Sequence, residues 1–149
     1  MRTKIIFLFS LIFAYFFLAS PVLADTFDPN NIISDFEILD YTSLSLDDIQ
    51  KFLQNKNSFL TNYQTNTCAE DDVLQKRPCS GKLISASEII YDRAIANKIN
   101  PKFILVLLQK EQGLIEKNNP TQSQLDWAAG YGCPDGALCN ERWRGFWKQ

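Results

Sequence analysis

Hydrophobic positions recur at helical spacing in the stretch FILVLLQKEQGLIEK, residues 103–117, with polar positions between them. A period of about 3.6 residues is typical of an amphipathic helix that turns one face toward a core. Asn100 precedes the stretch as a good N-cap residue, and Pro101 suits the first helical position. The pattern therefore predicts a helix from residue 101 to about residue 116.

Two other segments combine an apolar stripe with a helix start signal. Ser45 is followed by two acids, which favour a helix N-terminus, and Ser85 with Glu88 has the spacing of a capping box. These signals predict helices over residues 45–55 and 85–97. Three weaker helical segments are predicted after residue 34, over residues 124–129 with Ser123 or Thr121 as the cap, and over the aromatic-rich residues 141–149.

The rest of the chain has no strong alternation of apolar and polar positions, which is the signature of a half-buried strand. Residues 56–82 are polar and rich in Asn and Thr, so they predict a long surface loop with room for a small hairpin. The chain is therefore predicted to be mainly α-helical. Its ordered core is expected over residues 45–149.

One acid interrupts the apolar pattern of the long helix. At about 100° per residue, Glu111 lies within roughly 20° of Ile104 and 60° of Leu108, on the face predicted to be buried. Burial disfavours an ionised carboxylate, so such an acid tends to keep its proton, as a general acid requires. The alternative is a structural ion pair with a Lys or Arg.

The N-terminal segment has the pattern of a secretory signal peptide. Arg2 and Lys4 form a basic region, an apolar run of 14 residues follows, and Val22 and Ala24 are small residues at the cleavage positions. Residues 1–24 are therefore predicted to be removed, which leaves a secreted, extracytoplasmic domain over residues 25–149. An uncleaved membrane anchor is the alternative, although the apolar run is short for a span.

Charge and the absence of histidine exclude several classes of function. Without the two basic residues of the signal segment, a chain with 15 basic and 17 acidic residues has a net charge of −4. An acidic domain has no general attraction to nucleic acid or to anionic membranes, so neither is predicted as a partner. The chain has no His, which excludes Ser-His-Asp and Cys-His catalysis and imidazole-based zinc sites. Carboxylates, Tyr, Lys and Ser remain as possible catalytic groups, of which carboxylates are the usual catalysts of glycoside cleavage. No cofactor is predicted.

All four cysteines follow the predicted signal peptide, and an even number of cysteines in a secreted chain indicates disulfides. Three pairings are possible. The local pairing is favoured, with Cys68 bonded to Cys79 and Cys133 bonded to Cys139, because a Pro-Asp-Gly turn would close the second ring. The spacings contain no Cys-x-x-Cys pair, so no metal site is predicted.

The segments INPKFILVLLQKEQ and GYGCPDGALC carry a family resemblance. Residues 85–149 resemble a lysozyme-like, lytic-transglycosylase-like module of secreted bacterial surface proteins. The resemblance implies a helical lysozyme-like fold, a sugar-binding cleft and Glu111 as general acid. Three features depart from that pattern. Gln112 stands where such domains have Ser, AAGYGC replaces the usual Gly-Leu-Met-Gln, and the sequence stops at RGFWKQ, where similar modules continue, so a truncated module is expected.

Four further residues are candidates for the site. Asp126 could act as a second carboxylate, although it could equally cap a helix or face solvent. Tyr131 lies between two glycines and could line the cleft, or it could be a turn aromatic. Trp127 and Trp143 could stack on sugar rings, although tryptophans in a small domain are commonly core residues.

These observations predict a secreted, monomeric enzyme that cleaves the β-1,4 link between amino sugars of peptidoglycan. Glu111 would protonate the leaving oxygen. Attack by water would give hydrolysis, whereas attack by the sugar's own 6-hydroxyl would give an anhydro product, and the sequence leaves both routes open. The alternative is a non-catalytic cell-wall-binding or surface module that keeps the same fold.

Overall fold

A computed structural model describes Pro29, residues 32–66 and residues 81–149. The chain divides into two units, Met1–Ile32 and Ile33–Gln149. Almost all of the described residues belong to the second unit, and the account below concerns that unit alone.

Two predictions lie outside the described residues. They are the signal peptide at residues 1–24 and the disulfide between Cys68 and Cys79. Within residues 32–66 and 81–149, no helix combines the length and the apolar character that a membrane span requires.

The described part of the chain is mainly α-helical, which confirms the predicted fold class. Its regular elements follow in chain order: helices α1 (Asp35–Ile38) and α2 (Leu46–Asn55), a 3₁₀ turn (Phe59–Thr61), strands β1 (Gln64–Asn66) and β2 (Leu83–Ser85), helices α3 (Ala86–Asn97), α4 (Pro101–Gln112) and α5 (Gln122–Asp126), and two 3₁₀ turns (Glu141–Trp143 and Phe146–Lys148).

Helices α1 and α2 begin with complete capping boxes. Ser34 accepts a hydrogen bond from the backbone N–H of Glu37, whose carboxylate accepts one from the N–H of Ser34. Ser45 and Asp48 exchange the same pair of bonds at the start of α2. These bonds satisfy N–H groups that have no partner inside the helix, which explains why both helices begin at the predicted serines.

Asn100 connects α1 to the start of α4. Its side-chain oxygen caps α4 by accepting from the N–H of Lys102 at 2.9 Å and also accepts from the hydroxyl of Ser43 at 2.7 Å. Its amide N–H donates to the carbonyl of Glu37 at 2.8 Å. The predicted N-cap residue is therefore buried and also holds the N-terminal helix against the rest of the unit.

The two short strands pair antiparallel; β1 lies in the predicted loop over residues 56–82, whereas β2 follows that loop. Gln64 pairs with Ser85, and Asn66 pairs with Leu83. Ser85 ends β2 and also caps α3 by accepting from the N–H of Glu88. The sheet thus leads directly into the helix that forms one wall of the cavity described below.

The core of the unit is apolar and lies between α2, α3 and α4. Its fully buried or nearly buried side chains include Ile49, Leu53, Leu60, Ile89, Ile90, Leu105, Leu108, Leu114, Ile115, Leu125 and Phe146. Apolar burial contributes about 25 cal/mol for each Å² removed from water, so these contacts are the main source of stability.

The structure corrects the predicted end of α4. The helix stops at Gln112, and Gly113 adopts a left-handed conformation with φ of 68° as its C-cap. The N–H of Leu114 then donates to the carbonyl of Leu108 at 3.2 Å, which turns the chain back toward the core. Leu114 and Ile115 are therefore buried by this turn and are not part of the helical stripe.

The C-terminal segment differs from the predicted single helix over residues 141–149. It forms two 3₁₀ turns, because Gly145, with φ of 115°, interrupts the helical conformation between them. The disulfide Cys133–Cys139 precedes these turns and confirms the second predicted pairing. Inside its ring, the N–H of Ala137 donates to the carbonyl of Pro134, as the predicted Pro-Asp-Gly turn requires.

Candidate functional site

Glu111 lies at the edge of the buried face of α4, so the prediction that it is buried is wrong. Its side chain is 31% exposed and its Oε1 forms an ion pair with Nζ of Lys110 at 3.2 Å. The buried helical residues are Pro101, Leu105 and Leu108, whose centre lies about 90° around the helix from Glu111. The predicted face was displaced because it included Leu114 and Ile115, which follow the end of the helix.

The backbone at Gly130 closes against the carboxylate of Glu111. A Cβ built on Gly130 would lie 3.2 Å from Oε2 of Glu111 and 3.8 Å from its Cδ. A glycine at this position therefore permits the loop after α5 to approach the acid closely. The contact brings together two segments that the sequence separates by 18 residues, and one of them carries the GYGCPDG motif.

A cavity of about 600 Å³ lies beside this contact. Its walls come from α3, α4, the loop after α5 and the C-terminal 3₁₀ turns. The lining residues are Ile89, Ile90, Arg93, Asn97, Ile99, Phe103, Ile104, Leu107, Leu108, Ala129, Tyr131, Trp143, Phe146, Trp147, Lys148 and Gln149. Glu111 does not line the cavity, but Ala129 and Tyr131, which flank its neighbour Gly130, both do.

Tyr131 and Trp143, two of the predicted sugar-binding residues, meet at the cavity wall. Their ring centroids are 4.9 Å apart and their planes are inclined by 75°, which is an edge-to-face arrangement. Tyr131 is 57% exposed. Gly132 makes the packing possible, because a Cβ there would lie 2.7 Å from Cδ1 of Trp143. The two aromatic rings thus offer an accessible surface of the kind that binds the apolar faces of sugars.

Trp127, the third aromatic candidate, is a core residue. It is 8% exposed and does not line the cavity. Its carbonyl accepts a hydrogen bond of 3.3 Å from the side-chain amide of Gln112, which joins the loop after α5 to the end of α4. The structure therefore gives Trp127 the packing role that was its alternative.

Asp126 is buried and its carboxylate is fully engaged. Oδ2 accepts from Nε of Arg144 at 2.8 Å, and Oδ1 accepts from the side-chain amide of Gln122 at 2.8 Å. Its carbonyl accepts the N–H of Gly145 at 2.8 Å. The hydrogen bond to Asp126, followed by one to Glu141, raises the pKa of Arg144. These bonds tie α5 to the C-terminal segment, and they oppose the predicted role of Asp126 as a second catalytic carboxylate.

Gln149 holds the cavity wall together and was missed by sequence reasoning. Its Oε1 accepts from the N–H groups of Ala129 and Tyr131 at 3.3 and 3.1 Å, and its Nε2 donates to the carbonyls of Tyr131 and Trp143 at 3.1 and 2.6 Å. A single glutamine in a polar-aromatic stretch carries no local signal for such contacts.

Arg93 and Trp147 form a second pair that the sequence did not reveal. The guanidinium carbon of Arg93 lies 3.7 Å from the centroid of a Trp147 ring, which is a cation–π contact. Both residues line the cavity, at α3 and at the last 3₁₀ turn. In residues 32–66 and 81–149, no group of three or more His, Cys, Asp or Glu residues is placed to hold a metal ion.

The comparisons with known proteins identify one family. A model described as LasA, N-terminal domain, matches residues 31–138, which is most of the chain and includes Glu111, Gly130 and Tyr131. No curated protein and no solved structure is significantly similar to the chain. These findings do not confirm the lysozyme-like resemblance, which stays a prediction.

Proposed function

The chain belongs to the family of LasA N-terminal domains, which are domains of secreted bacterial proteins, and from this membership we propose that it acts outside the cytoplasm on cell-wall peptidoglycan. LasA-type proteins form a peptidoglycan-related protease family, so the membership does not itself support cleavage of the glycan strand. The membership supports both the extracytoplasmic location and the cell-wall partner.

The reaction proposed is cleavage of the glycan strand, with Glu111 as the proton donor. One observation carries this proposal: Gly130 brings the loop after α5 against the Glu111 carboxylate. The acid is thereby placed next to the wall of an aromatic cavity, although its own sequence position gives no reason for that contact. Protonation of a glycosidic oxygen requires at least a carboxylic acid beside the surface that binds the sugar.

In the free protein the carboxylate of Glu111 is partly open to water. A glycan strand lying across Tyr131 and Gly130 would cover it, and the loss of water would favour the protonated acid. The ion pair with Lys110 opposes this effect weakly, because the Lys110 side chain is 75% exposed and surface ion pairs contribute little. The proton of Glu111 would pass to the leaving oxygen as the bond to the anomeric carbon breaks.

Two routes complete the reaction in this proposal. Water can supply the oxygen that bonds to the anomeric carbon, which gives a reducing sugar end. The sugar's own 6-hydroxyl can do so instead, which gives an anhydro end. The carboxylate of Asp126 is held by Arg144 and Gln122, so it receives no catalytic role.

A second candidate function is binding to the cell wall without cleavage. Two observations favour it: Glu111 forms an ion pair with Lys110, and the carboxylate of Asp126 is bound by Arg144. In the described part of the chain, no carboxylate side chain lines the cavity. In that case the aromatic cavity alone would account for the partner, and Glu111 would be a surface residue.

Digestion of purified peptidoglycan separates the two candidates. Wild-type protein and Glu111→Gln are incubated with insoluble peptidoglycan, the released sugar ends are identified by mass spectrometry, and bound protein is measured by sedimentation. We expect cleavage by the wild type and a loss of at least about 100-fold in Glu111→Gln, with binding retained. Equal cleavage by both proteins would refute the role of Glu111. Binding without cleavage by the wild type would establish the second candidate.

A further inference from the structure

Arg93 lines the cavity without a hydrogen-bond acceptor. Its Nε is buried and makes no hydrogen bond. Its guanidinium carbon lies 3.7 Å from the centroid of a Trp147 ring. A buried N–H group is nearly always paired in a folded protein, so the unpaired Nε marks Arg93 as a cavity residue whose hydrogen-bonding capacity is not fully used within the described ranges.

The charged side chains that line the cavity have one sign. Its charged lining residues are Arg93 and Lys148, and no carboxylate lines it. Lys148 already donates to the carbonyl of Arg142 at 3.1 Å, whereas Arg93 has no such partner in the described ranges. Complementarity therefore favours an anionic ligand group at the Arg93 end of the cavity.

The shape of the guanidinium restricts which kind of anion would bind there. Trp147 lies against the guanidinium, with 3.7 Å between the guanidinium carbon and the ring centroid, and the guanidinium group is suited to planar, two-point hydrogen bonding. A carboxylate fits such an edge, and the surrounding walls of Ile89, Ile99 and Phe103 suit an apolar body next to that carboxylate.

We propose that the cavity binds the carboxylate-bearing, peptide-substituted part of peptidoglycan, with the carboxylate on the guanidinium of Arg93. The inference rests on the proposed function and deepens it. Neutral sugar rings would contact Tyr131 and Trp143, and the acidic substituent would reach Arg93 and Trp147. The cavity would thereby distinguish peptidoglycan from an uncharged amino-sugar polymer.

The test uses two soluble probes that differ in charge alone. One is a muropeptide with free carboxylates, and the other is the same muropeptide with those carboxylates converted to amides. Binding of each probe is measured by calorimetry to the wild type and to Arg93→Met, which removes the charge but keeps an apolar side chain against Trp147. Lys102→Met is the matched control, because Lys102 is exposed and does not line the cavity.

We expect the wild type to bind the acidic probe at least about tenfold more tightly than the amidated probe, since hydrogen bonds between two charged groups are the strong ones. Arg93→Met should lose that preference while it binds the amidated probe as the wild type does, and Lys102→Met should behave as the wild type. A melting curve of Arg93→Met confirms that the variant is folded.

Two outcomes would overturn the inference while the proposed function stands. One is equal affinity of the wild type for both probes. The other is an equal decrease in the affinity of Arg93→Met for both probes. Failure of the wild type to bind either probe would overturn the inference and also the use of this cavity by the proposed function. Sedimentation with whole peptidoglycan tells the two failures apart, because it detects binding of the polymer through any surface of the protein.

Discussion

Gln149 and Tyr131 exchange two hydrogen bonds of 3.1 Å, in which the glutamine side chain pairs with both backbone groups of the tyrosine. The side-chain amide of Gln149 thus pairs with Tyr131 through one donor and one acceptor, as the backbone of a neighbouring β-strand would. It holds Tyr131 where its ring meets Trp143, and it joins the GYGCPDG loop to the C-terminal segment.

Replacement of Gln149 should loosen that wall in graded steps. We expect Gln149→Ala to lower the free energy of unfolding by roughly 1–3 kcal/mol, because four hydrogen bonds to the backbone are lost. Gln149→Glu should fall between Ala and the wild type, since a carboxylate accepts from two N–H groups but cannot donate to the carbonyls of Tyr131 and Trp143. Urea unfolding measures both variants. Equal stability of all three proteins would contradict the role assigned to the amide.

Gly132 should be far less tolerant of substitution than Gly136. Both have φ of 74°, but a Cβ on Gly132 would lie 2.7 Å from the Trp143 ring, whereas nothing lies within 4 Å of one on Gly136. We expect Gly136→Ala to cost about 1–2 kcal/mol of stability from backbone strain alone. Gly132→Ala should cost about 1–3 kcal/mol more and displace the indole. Thermal unfolding and near-UV circular dichroism test the difference.

Asp126 should matter for stability rather than for catalysis. Asp126→Asn weakens a partly buried, charge-assisted bond to Arg144 and should lower the free energy of unfolding by about 1–2 kcal/mol. Glu141→Gln is the matched control, because Glu141 contacts the same arginine at 3.2 Å from an exposed position and should change stability little. Loss of peptidoglycan cleavage in Asp126→Asn at unchanged melting temperature would instead support a catalytic role for Asp126.

Helix α2 should make the domain sensitive to acid. The hydrogen bond from the Ser45 side chain, with a further bond from its N–H, lowers the pKa of Asp48 below its ordinary value of 3.8. A carboxylate with a lowered folded-state pKa stabilises the fold above its unfolded pKa, and that contribution is lost as the pH falls through the folded value. The stability of the wild type should therefore decrease below about pH 4.

Two variants in the first turn of α2 isolate this effect. The amide in Asp48→Asn cannot titrate. The melting temperature of this variant should therefore change less between about pH 6 and about pH 3 than that of the wild type. Asp47→Asn is the control, because Asp47 pairs with Lys51 on the helix surface and takes no part in the cap. The same pH dependence in Asp48→Asn and the wild type would contradict the role of the capping box.

The elements with strong local signals were predictable from the sequence. Ser45, Ser85 and Asn100 begin their helices as predicted, because a cap satisfies N–H groups within three residues of itself and so needs no tertiary information. The pairing of Cys133 with Cys139 was predictable for the same reason, since the turn that closes the ring lies inside it.

The exposure of the Glu111 side chain was not predictable from the period of the helix alone. With Gly113 as its C-cap, α4 ends about four residues earlier than the apolar pattern suggests, and Leu114 and Ile115 reach the core by a turn of the backbone. An apolar residue after a C-cap gives the same sequence pattern as one inside the helix. The contacts of Gln149 and Arg93 were equally hidden, because both join segments that are distant in the sequence.

The distribution of tryptophan gives the protein two separate optical reporters. The chain has three tryptophans; Trp143 and Trp147 line the cavity, whereas Trp127 is buried away from it. A ligand that enters the cavity would alter the polarity around the first two without reaching the third. Fluorescence of a variant that keeps only Trp127 would therefore follow unfolding, and emission from the other two would follow occupancy, without any attached dye.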